Sequence, residues 1–191
     1  MSFYTQEELK ELGFKHCGRN VKISKMATLY NCNQMEFGND VRIDDFCVLS
    51  GKLIFGNNIH ITCHCIISGG EEGIYFDDFA TVAYRATIFT RSDDYLGNTL
   101  TNSTIPEKYR YETVKKEVKI GRHAIVGTGS TIFPGAHIGE GTSVGSMSLV
   151  LKKTDDWSIY VGIPAKKVKD RERGLLRQEI EYLKELTTKT E

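Results

Sequence analysis

Two adjacent carboxylates, Asp93 and Asp94, are the side chains of this sequence that best fit acid–base chemistry. Like-charge repulsion and a partly dry loop would raise the pKa of one or both. A carboxylate whose pKa is raised in this way can accept a proton near neutral pH, as a general base does. His64 is the best candidate among the histidines, because a repeat in the chain stacks it under Arg85.

A six-residue repeat defines the elements that must position these side chains. Apolar residues recur at every sixth position from Phe37 to Ile67 and again, without a miss, from Ile120 to Val150. A helix would scatter them around its axis, and a single strand would be far too long. A chain that turns a corner every six residues, with three corners per coil, directs every repeat side chain into one interior. The sequence therefore predicts an all-β hexapeptide β-helix.

Two insertions interrupt the repeat at the same corner. Three residues are extra between Ile67 and Phe76, and 26 are extra between Ile88 and Ile120. Both insertions fall between the third face and the first, one coil apart. Surface loops tolerate insertion, but a loop this long that is not of low complexity favours a functional site. We therefore predict a site at this corner, where the loop at about 89–119 carries the two carboxylates.

Short helical segments frame the predicted β-helix. The residues from Thr5 to Glu8 are typical of a capping box, so residues 1–19 are predicted to form a helical cap. Leucine and isoleucine residues at helical spacing predict an amphipathic C-terminal helix within residues 169–191. The β-helix then occupies residues 20–168.

The composition excludes several functional classes. The chain of 191 residues carries 25 basic and 25 acidic side chains, so no basic field invites nucleic acid. No apolar run approaches the roughly 18 residues of a membrane span. The N-terminus has no signal-peptide pattern, and the five cysteines lack the spacing of a disulfide framework. We expect a cytoplasmic protein with no membrane span and no nucleic-acid partner.

The hexapeptide run, the long corner loop and the ending from Gly162 to Lys166 resemble the left-handed β-helix acyltransferases. The resemblance covers about residues 20–170 and points to the galactoside, maltose and xenobiotic O-acetyltransferase group and to sugar-nucleotide N-acetyltransferases. It implies a left-handed coil, a homotrimer, and acetyl-CoA as the acyl donor in a groove between neighbouring coils, with no metal. The implied function is acetylation of a hydroxyl or amino group of a sugar or sugar nucleotide, in surface-polysaccharide synthesis.

The resemblance also assigns candidate residues by position. The cofactor-binding candidates are Gly127, Thr128, Gly145, Ser146, Lys152 and Lys166. Glycines let a pantetheine arm approach exposed backbone N–H and C=O groups, and lysines suit the phosphates of the nucleotide end. The acceptor-binding candidates are Ser50, Thr62, Glu71, Glu72, Arg85, Ser92 and Tyr95. The two glutamates lie in the short insertion and are expected to bind sugar hydroxyls.

The chain departs from the O-acetyltransferases at their main catalytic residue. Ser92 stands where that group has its loop histidine, the general base on the sugar hydroxyl. Asp93 or Asp94 could replace this base, or a histidine such as His64 could reach in. Alternatively the acceptor is an amine, which attacks a thioester without a strong base. These alternatives leave the choice between O- and N-acetylation open.

Two other hypotheses use the same fold. A catalytically inactive β-helix that serves as a binding or scaffold protein would also lack the family histidine. A γ-carbonic-anhydrase-like zinc enzyme would need converging ligands, but the histidines and cysteines from His60 to Cys65 alternate along a strand. The polar loop and the Gly-Ile-Pro-Ala-Lys ending favour an acyltransferase over both.

Overall fold

The computed structural model describes residues 2–111 and 113–188, the last two of these by their backbone. The predicted cap, loop and C-terminal helix also included Met1, Glu112 and residues 189–191, which lie outside the described residues. The helices are α1 (Gln6–Glu11) and α2 (Leu175–Thr188), with short 3₁₀ turns at Cys32–Gln34 and Glu107–Tyr109. None of the helices in the described part is long and apolar enough to cross a membrane.

Short strands make up most of the rest. In chain order they are β1 (His16–Cys17), β2 (Lys22–Ile23), β3 (Thr28–Tyr30), β4 (Met35–Phe37), β5 (Arg42–Ile43), β6 (Val48–Ser50), β7 (Leu53–Phe55), β8 (His60–Ile61), β9 (Ile66–Ser68), β10 (Ile74–Phe76), β11 (Thr81–Val82), β12 (Thr87–Phe89), β13 (Arg91–Ser92), β14 (Val114–Lys115), β15 (Val118–Ile120), β16 (Ile125–Val126), β17 (Thr131–Ile132), β18 (His137–Ile138), β19 (Ser143–Val144), β20 (Leu149–Val150), β21 (Ser158–Val161) and β22 (Lys166–Asp170).

All of these strands except β13 and β14 form three sheets, which are the three faces of the coil. Face A has the order β1-β4-β7-β10-β15-β18, and face C has the order β3-β6-β9-β12-β17-β20. Face B runs β2-β5-β8-β11-β16-β19 and ends with β21 and β22. Successive coils pair in parallel and in register, so that Phe37 lies beside Phe55 and Phe55 beside Phe76. The chain is a left-handed parallel β-helix of hexapeptide repeats, as predicted.

The repeat residues fill the interior of the coil. Side chains at the six-residue positions, such as Ile43 and Ile61, are fully buried. On face A the rings of Phe37, Phe55 and Phe76 stack with centroids 4.9 and 4.8 Å apart. Burial of one such side chain contributes about 1.5–3 kcal/mol, so each coil is stabilised by its own three rungs. This rigid stack fixes the corners on which any site must be built.

The corner between faces B and C holds the predicted histidine. Phe46, His64 and Arg85 occupy equivalent positions in three successive coils, with left-handed backbone φ values of 60°, 63° and 60°. The ring of His64 stacks on Phe46 with the centroids 4.9 Å apart. The Arg85 N–H donates to the Cys63 carbonyl at 3.2 Å, which keeps successive corners in register. His64 therefore does lie under Arg85, at an exposed corner.

Helix α1 begins at the predicted capping box. The Thr5 hydroxyl accepts a hydrogen bond from Glu8 N at 3.2 Å, and Oε2 of Glu8 accepts one from Thr5 N at 2.7 Å. Two of the free N–H groups at the helix start are satisfied in this way. Leu9, on the inner side of the helix, is buried in the core.

Helix α2 docks on the side of the coil through a small buried cluster. Glu179 contacts Arg122 and lies 2.8 Å from Nε2 of His123, whose ring stacks on Phe79. Burial, and next the charge of Arg122, lower the pKa of His123. An ionised carboxylate can only accept a hydrogen bond, so Nε2 of His123 donates to Glu179.

Candidate active site at the C-to-A corner

The long loop leaves the coil through a short antiparallel stem. Strand β13 pairs with β14, so that Arg91 lies opposite Lys115 and Ser92 opposite Val114. The Lys116 N–H donates to the carbonyl of buried Thr90 at 2.9 Å, which closes the base of the stem. The first residues of the loop are therefore held by the coil rather than free in solvent.

Two glutamates of the short insertion form ion pairs with Arg91 at the base of this loop. Nε and Nη2 of Arg91 lie 2.9 and 3.3 Å from the two carboxylate oxygens of Glu72, and Nη2 lies 3.3 Å from Glu71. Burial alone would raise the pKa of Glu72, but the hydrogen bonds and charge of Arg91 outweigh it and hold that pKa below its usual value. A Cβ on Gly70, which has φ of +54°, would lie 2.6 Å from Glu72 Oε2 and 2.7 Å from Arg91 Nε.

This clamp revises the expectation for the two glutamates. Both were expected to bind sugar hydroxyls, but the Glu72 carboxylate is engaged with Arg91 on both oxygens. Glu71 is exposed and holds Arg91 by one longer contact, so it retains an edge toward solvent. The physical reason is proximity, because both insertions leave the same corner one coil apart and opposite charges meet there.

Two cavities flank the stem and share one wall. The first, which we call the polar cavity, has a volume of about 580 Å³. The second, which we call the apolar cavity, has a volume of about 350 Å³. Ser92 and Asp93 line both, so these two residues form the seam between them. Both volumes fall in the range of about 300–1,000 Å³ that is typical of small-molecule sites.

The walls of the two cavities differ in chemistry. Apart from the shared wall, the polar cavity is lined by charged side chains and one threonine: Glu71, Arg91, Glu107, Arg110, Lys115 and Thr113. Its acidic and basic groups balance, which suits a polar, hydroxyl-rich ligand. Apart from the shared wall, the apolar cavity is lined by Asp94 and by the mostly apolar side chains of Tyr95, Leu96, Val114, Phe133 and Pro134.

The two adjacent carboxylates have different environments. Oδ1 of Asp94 accepts a hydrogen bond from Leu96 N at 2.7 Å, and Oδ2 accepts bonds from Asn98 N at 2.6 Å and Thr99 N at 2.9 Å. These bonds, led by the one from Leu96, lower the pKa of Asp94. The expectation of a raised pKa is therefore wrong for Asp94, whose carboxylate organises the turn that follows it.

Asp93 is much less committed to the loop. Within the described ranges its carboxylate accepts one hydrogen bond, to Oδ2 from Asn102 N at 3.1 Å. Asp93 also lines both cavities. Of the two predicted carboxylates, Asp93 is thus the one with more acceptor capacity left by the described loop residues.

Four of the predicted residues lie away from this corner within one chain. His64 and Arg85 form the exposed B-to-C corner, and Thr62 donates its hydroxyl to the Val82 carbonyl at 3.0 Å. The Ser50 hydroxyl bonds to that of Ser68 at 3.2 Å on the outer side of face C. None of the four lines either cavity of the described chain.

The glycine, threonine and serine candidates follow β16 and β19 at the B-to-C corner, and the two lysines lie near the end of the coil. Thr128 and Ser146 are exposed, as are Lys152 and Lys166. The Gly127 N–H donates to the Val144 carbonyl and the Gly145 N–H to the Tyr160 carbonyl, both at 2.8 Å. The N–H groups of these two glycines are therefore used by the coil, and their assignment to the donor site stays a prediction.

Steric crowding explains one of these glycines. A Cβ on Gly127 would lie 2.6 Å from Ser146 N and 2.6 Å from the Val144 carbonyl oxygen. Coils 4.8 Å apart, the ordinary strand spacing, leave no room for it at that corner. The glycine is required by coil packing whether or not a ligand approaches.

Sequence reasoning missed several residues of the two cavities. Phe133 and Pro134 follow the rung residue Ile132 directly, so they leave the coil at the same corner as the loop, one coil later. The repeat register alone would have placed them beside Phe89 and Thr90, which lead into the loop just before Ser92. By contrast, Val114 and Lys115 reach the site through the pairing of the stem, which no repeat signals.

The described residues hold no group of three or more His, Cys, Asp or Glu side chains that could bind a metal ion. Cys47 and Cys65, stacked in successive coils, are fully buried thiols. Cys47 donates to the Thr62 carbonyl at 3.0 Å, and its hydrogen bond with Cys65 and its burial raise the pKa of its thiol far above the usual value.

Comparison with known proteins gives close relatives for the whole chain. No protein-family profile matches the sequence. The chain is 37% identical over 181 residues to a dTDP-4-amino-4,6-dideoxy-D-glucose acyltransferase of Escherichia coli, covering 94% of each chain. It is similar to the crystal structure of AntD, an N-acyltransferase from Bacillus cereus, in complex with dTDP and 3-hydroxybutyryl-CoA. That match has 46% identity and a TM-score of 0.95, and covers 97% of this chain and 98% of that one.

A second structure of the neighbour carries a sugar nucleotide. It is a serine-to-alanine variant of AntD in complex with dTDP-4-amino-4,6-dideoxyglucose and coenzyme A. The identity is 47%, the TM-score is 0.94, and the match covers 96% of this chain and 98% of that one.

Proposed function

The chain belongs to the β-helical acyltransferases that act on sugar nucleotides, and from this premise we propose that it acylates the amino group of a dTDP-linked 4-amino-4,6-dideoxyhexose. The acyl donor is an acyl-coenzyme A. The observation that carries the proposal is Asp93, a carboxylate at the seam between a polar and an apolar cavity, where the loop has Ser92 in place of a histidine. The ligands of AntD support the choice of acceptor and donor.

The proposed reaction needs only a modest base. The neutral amine attacks the thioester carbon, the C–N bond forms, and the C–S bond breaks as the tetrahedral intermediate collapses. Asp93 takes the proton that the attacking nitrogen loses, and coenzyme A leaves as the thiolate, which is then protonated. A hydroxyl acceptor would lose its proton far less readily and would need a stronger base. Asp93 therefore fits N-acylation better than O-acylation.

The polar cavity supplies the acceptor side of the proposal. Arg110 is fixed there by a hydrogen bond from its Nε to the Ile105 carbonyl at 2.8 Å, and Lys115 lies 3.4 Å from Glu107. Balanced charges of this kind orient hydroxyl groups through several weak contacts rather than one strong ion pair. Ser92 and Asp93 would then present the amine to the donor.

The donor side follows from exposed groups on the coil. Thr128 and Ser146 offer hydroxyls, and Lys152 and Lys166 offer charge for the phosphates of coenzyme A. We keep the homotrimer as part of the proposal, because a groove for the donor between neighbouring coils needs a second subunit. Light scattering that gives three times the mass of one 21.5 kDa chain would support it, and a monomer would contradict it.

A matched pair of acceptors tests the proposal. Purified protein is mixed with acyl-CoA and either dTDP-4-amino-4,6-dideoxyglucose or its 4-hydroxy counterpart, and free thiol and product mass are measured. The expected result is thiol release with the amino sugar alone and a product carrying one amide-linked acyl group. Equal turnover of the hydroxy sugar would refute N-acylation, and no turnover of either would favour the inactive scaffold.

A further inference from the structure

The apolar cavity has no assigned ligand, and it adjoins the point at which the acceptor and the donor must meet in the proposed reaction. We infer that it is the subsite for the acyl chain of the donor, and that Val114 and Phe133 set the length of chain accepted. The inference rests on the proposed function. It concerns the acyl group that is transferred rather than the sugar.

The position of the cavity follows from the shared wall. The amine arrives from the polar cavity and the proton goes to Asp93, so the thioester carbon must lie at the seam. The chain attached to that carbon then has to leave in a direction that the sugar does not occupy. The apolar cavity is the space on the far side of Ser92 and Asp93.

The walls of the cavity are chemically suited to a hydrocarbon chain. Val114, Phe133 and Pro134 present carbon surface. Sugar hydroxyls placed against it would lose hydrogen bonds to water without replacement, which is unfavourable. Methylene groups gain from the same transfer, since each one buried improves binding by roughly fourfold.

Two of the walls are held in fixed positions. Val114 lies opposite Ser92 in the stem, so the β13–β14 pairing fixes the position of its backbone. Phe133 packs edge-on against Phe89, with centroids 5.0 Å apart and an interplanar angle of 60°. A cavity with fixed walls discriminates by size, because overfilling it strains the packing around it.

The inference predicts a preference among donors. A butyryl chain places two more methylene groups in the cavity than an acetyl group, which corresponds to about fifteenfold higher kcat/KM at fourfold per methylene. A chain that exceeds the cavity loses this advantage.

Substitution of one wall tests the inference against a matched control. Val114→Trp fills the cavity, and Leu100→Trp adds the same side chain at another exposed apolar position of the loop that lines neither cavity. Both are assayed with acetyl-CoA, butyryl-CoA and hexanoyl-CoA at saturating dTDP-4-amino sugar. The butyryl-to-acetyl ratio of kcat/KM should fall about tenfold in Val114→Trp and stay within twofold of wild type in Leu100→Trp.

A complementary variant guards against a folding defect. Phe133→Ala enlarges the cavity and should raise the hexanoyl-to-butyryl ratio severalfold, a gain that a damaged protein would not show. Unchanged donor ratios in both cavity variants, with turnover retained, would overturn the inference and leave N-acylation standing. A higher KM for the sugar nucleotide with unchanged donor ratios would place the thymine ring in the cavity instead. No turnover of wild type with any donor would refute the proposed function itself.

Discussion

Replacing Asp93 by asparagine tests its role as the base while leaving the loop intact. Asp93→Asn keeps a carbonyl oxygen that can accept the single hydrogen bond from Asn102 N, so the loop should remain as it is. What disappears is the capacity to take a proton. General-base catalysis contributes about 10²–10⁴-fold, and an amine, which loses its proton easily after attack, lies at the low end. We expect kcat to fall about 10²-fold, or roughly 2.7 kcal/mol.

Asp94→Asn is the control because it removes the same charge one residue away. The Asp94 carboxylate accepts three N–H groups on its two oxygens, and an amide can retain acceptors on only one side. At least one N–H of the turn then loses its partner, which loosens the loop. We expect the KM for the sugar nucleotide to rise while kcat falls by less than tenfold.

The assay is steady-state thiol release over a range of pH, with both variants folded by circular dichroism. The larger loss in kcat should appear in Asp93→Asn across this range, because only that variant removes the group that takes the proton from the attacking nitrogen. If Asp93→Asn kept kcat within threefold of wild type, or Asp94→Asn lost as much, Asp93 would not be the base.

Three further predictions concern the ion pairs of Arg91 at the loop, the cluster under helix α2 and the core of the coil. Glu72→Gln should release Arg91 and lower kcat/KM for the acceptor about fivefold, through a higher KM. Glu117→Gln is the control, because it breaks an exposed ion pair outside both cavities, and kcat/KM should stay within twofold of wild type in the same assay. The pKa of His123 is lower in the folded chain than in the unfolded chain, so the unfolded chain is protonated first as pH falls. The stability that this residue contributes is therefore complete above about pH 6.5 and is lost as pH falls toward the folded pKa. Denaturant titrations from pH 8 to 5 should show a smaller loss of stability in His123→Asn, and an equal loss would contradict the prediction. Phe55→Ala removes a ring stacked on both sides and should cost about 3–5 kcal/mol, or roughly 6–20 °C in Tm by calorimetry, and a shift below 3 °C would contradict the proposed packing.

The coil was predictable because its determinants are local and repeated. A rung residue such as Ile61 points inward in every coil, so a six-residue period identifies the three faces, the corners and the place of both insertions. The capping box before α1 was predictable for the same reason, since its hydrogen bonds join residues three apart. The position of the long loop and of its two cavities, at the corner from face C to face A, followed from the repeat.

The roles of individual side chains at that corner were less accessible, because they depend on contacts across insertions that have no repeat. Adjacent carboxylates suggest mutual repulsion and a raised pKa, but the turn after Asp94 aims three N–H groups at it and lowers its pKa instead. Similarly, Glu72 looked available to a ligand until the stem brought Arg91 within 2.9 Å. In both cases the backbone conformation of the insertions determines which partner each carboxylate contacts.

The loss of the family histidine is therefore better explained by the acceptor than by loss of activity. Among the described residues the Asp93 carboxylate accepts one hydrogen bond from the loop and that of Asp94 accepts three, so Asp93 keeps an acceptor capacity for which an inactive scaffold would have no need. A hydroxyl nucleophile requires a base near neutrality, for which histidine is suited, whereas an amine needs only a nearby acceptor for the proton it sheds. A carboxylate at the seam of two cavities meets that smaller requirement, so Ser92 can occupy the histidine's place without ending catalysis.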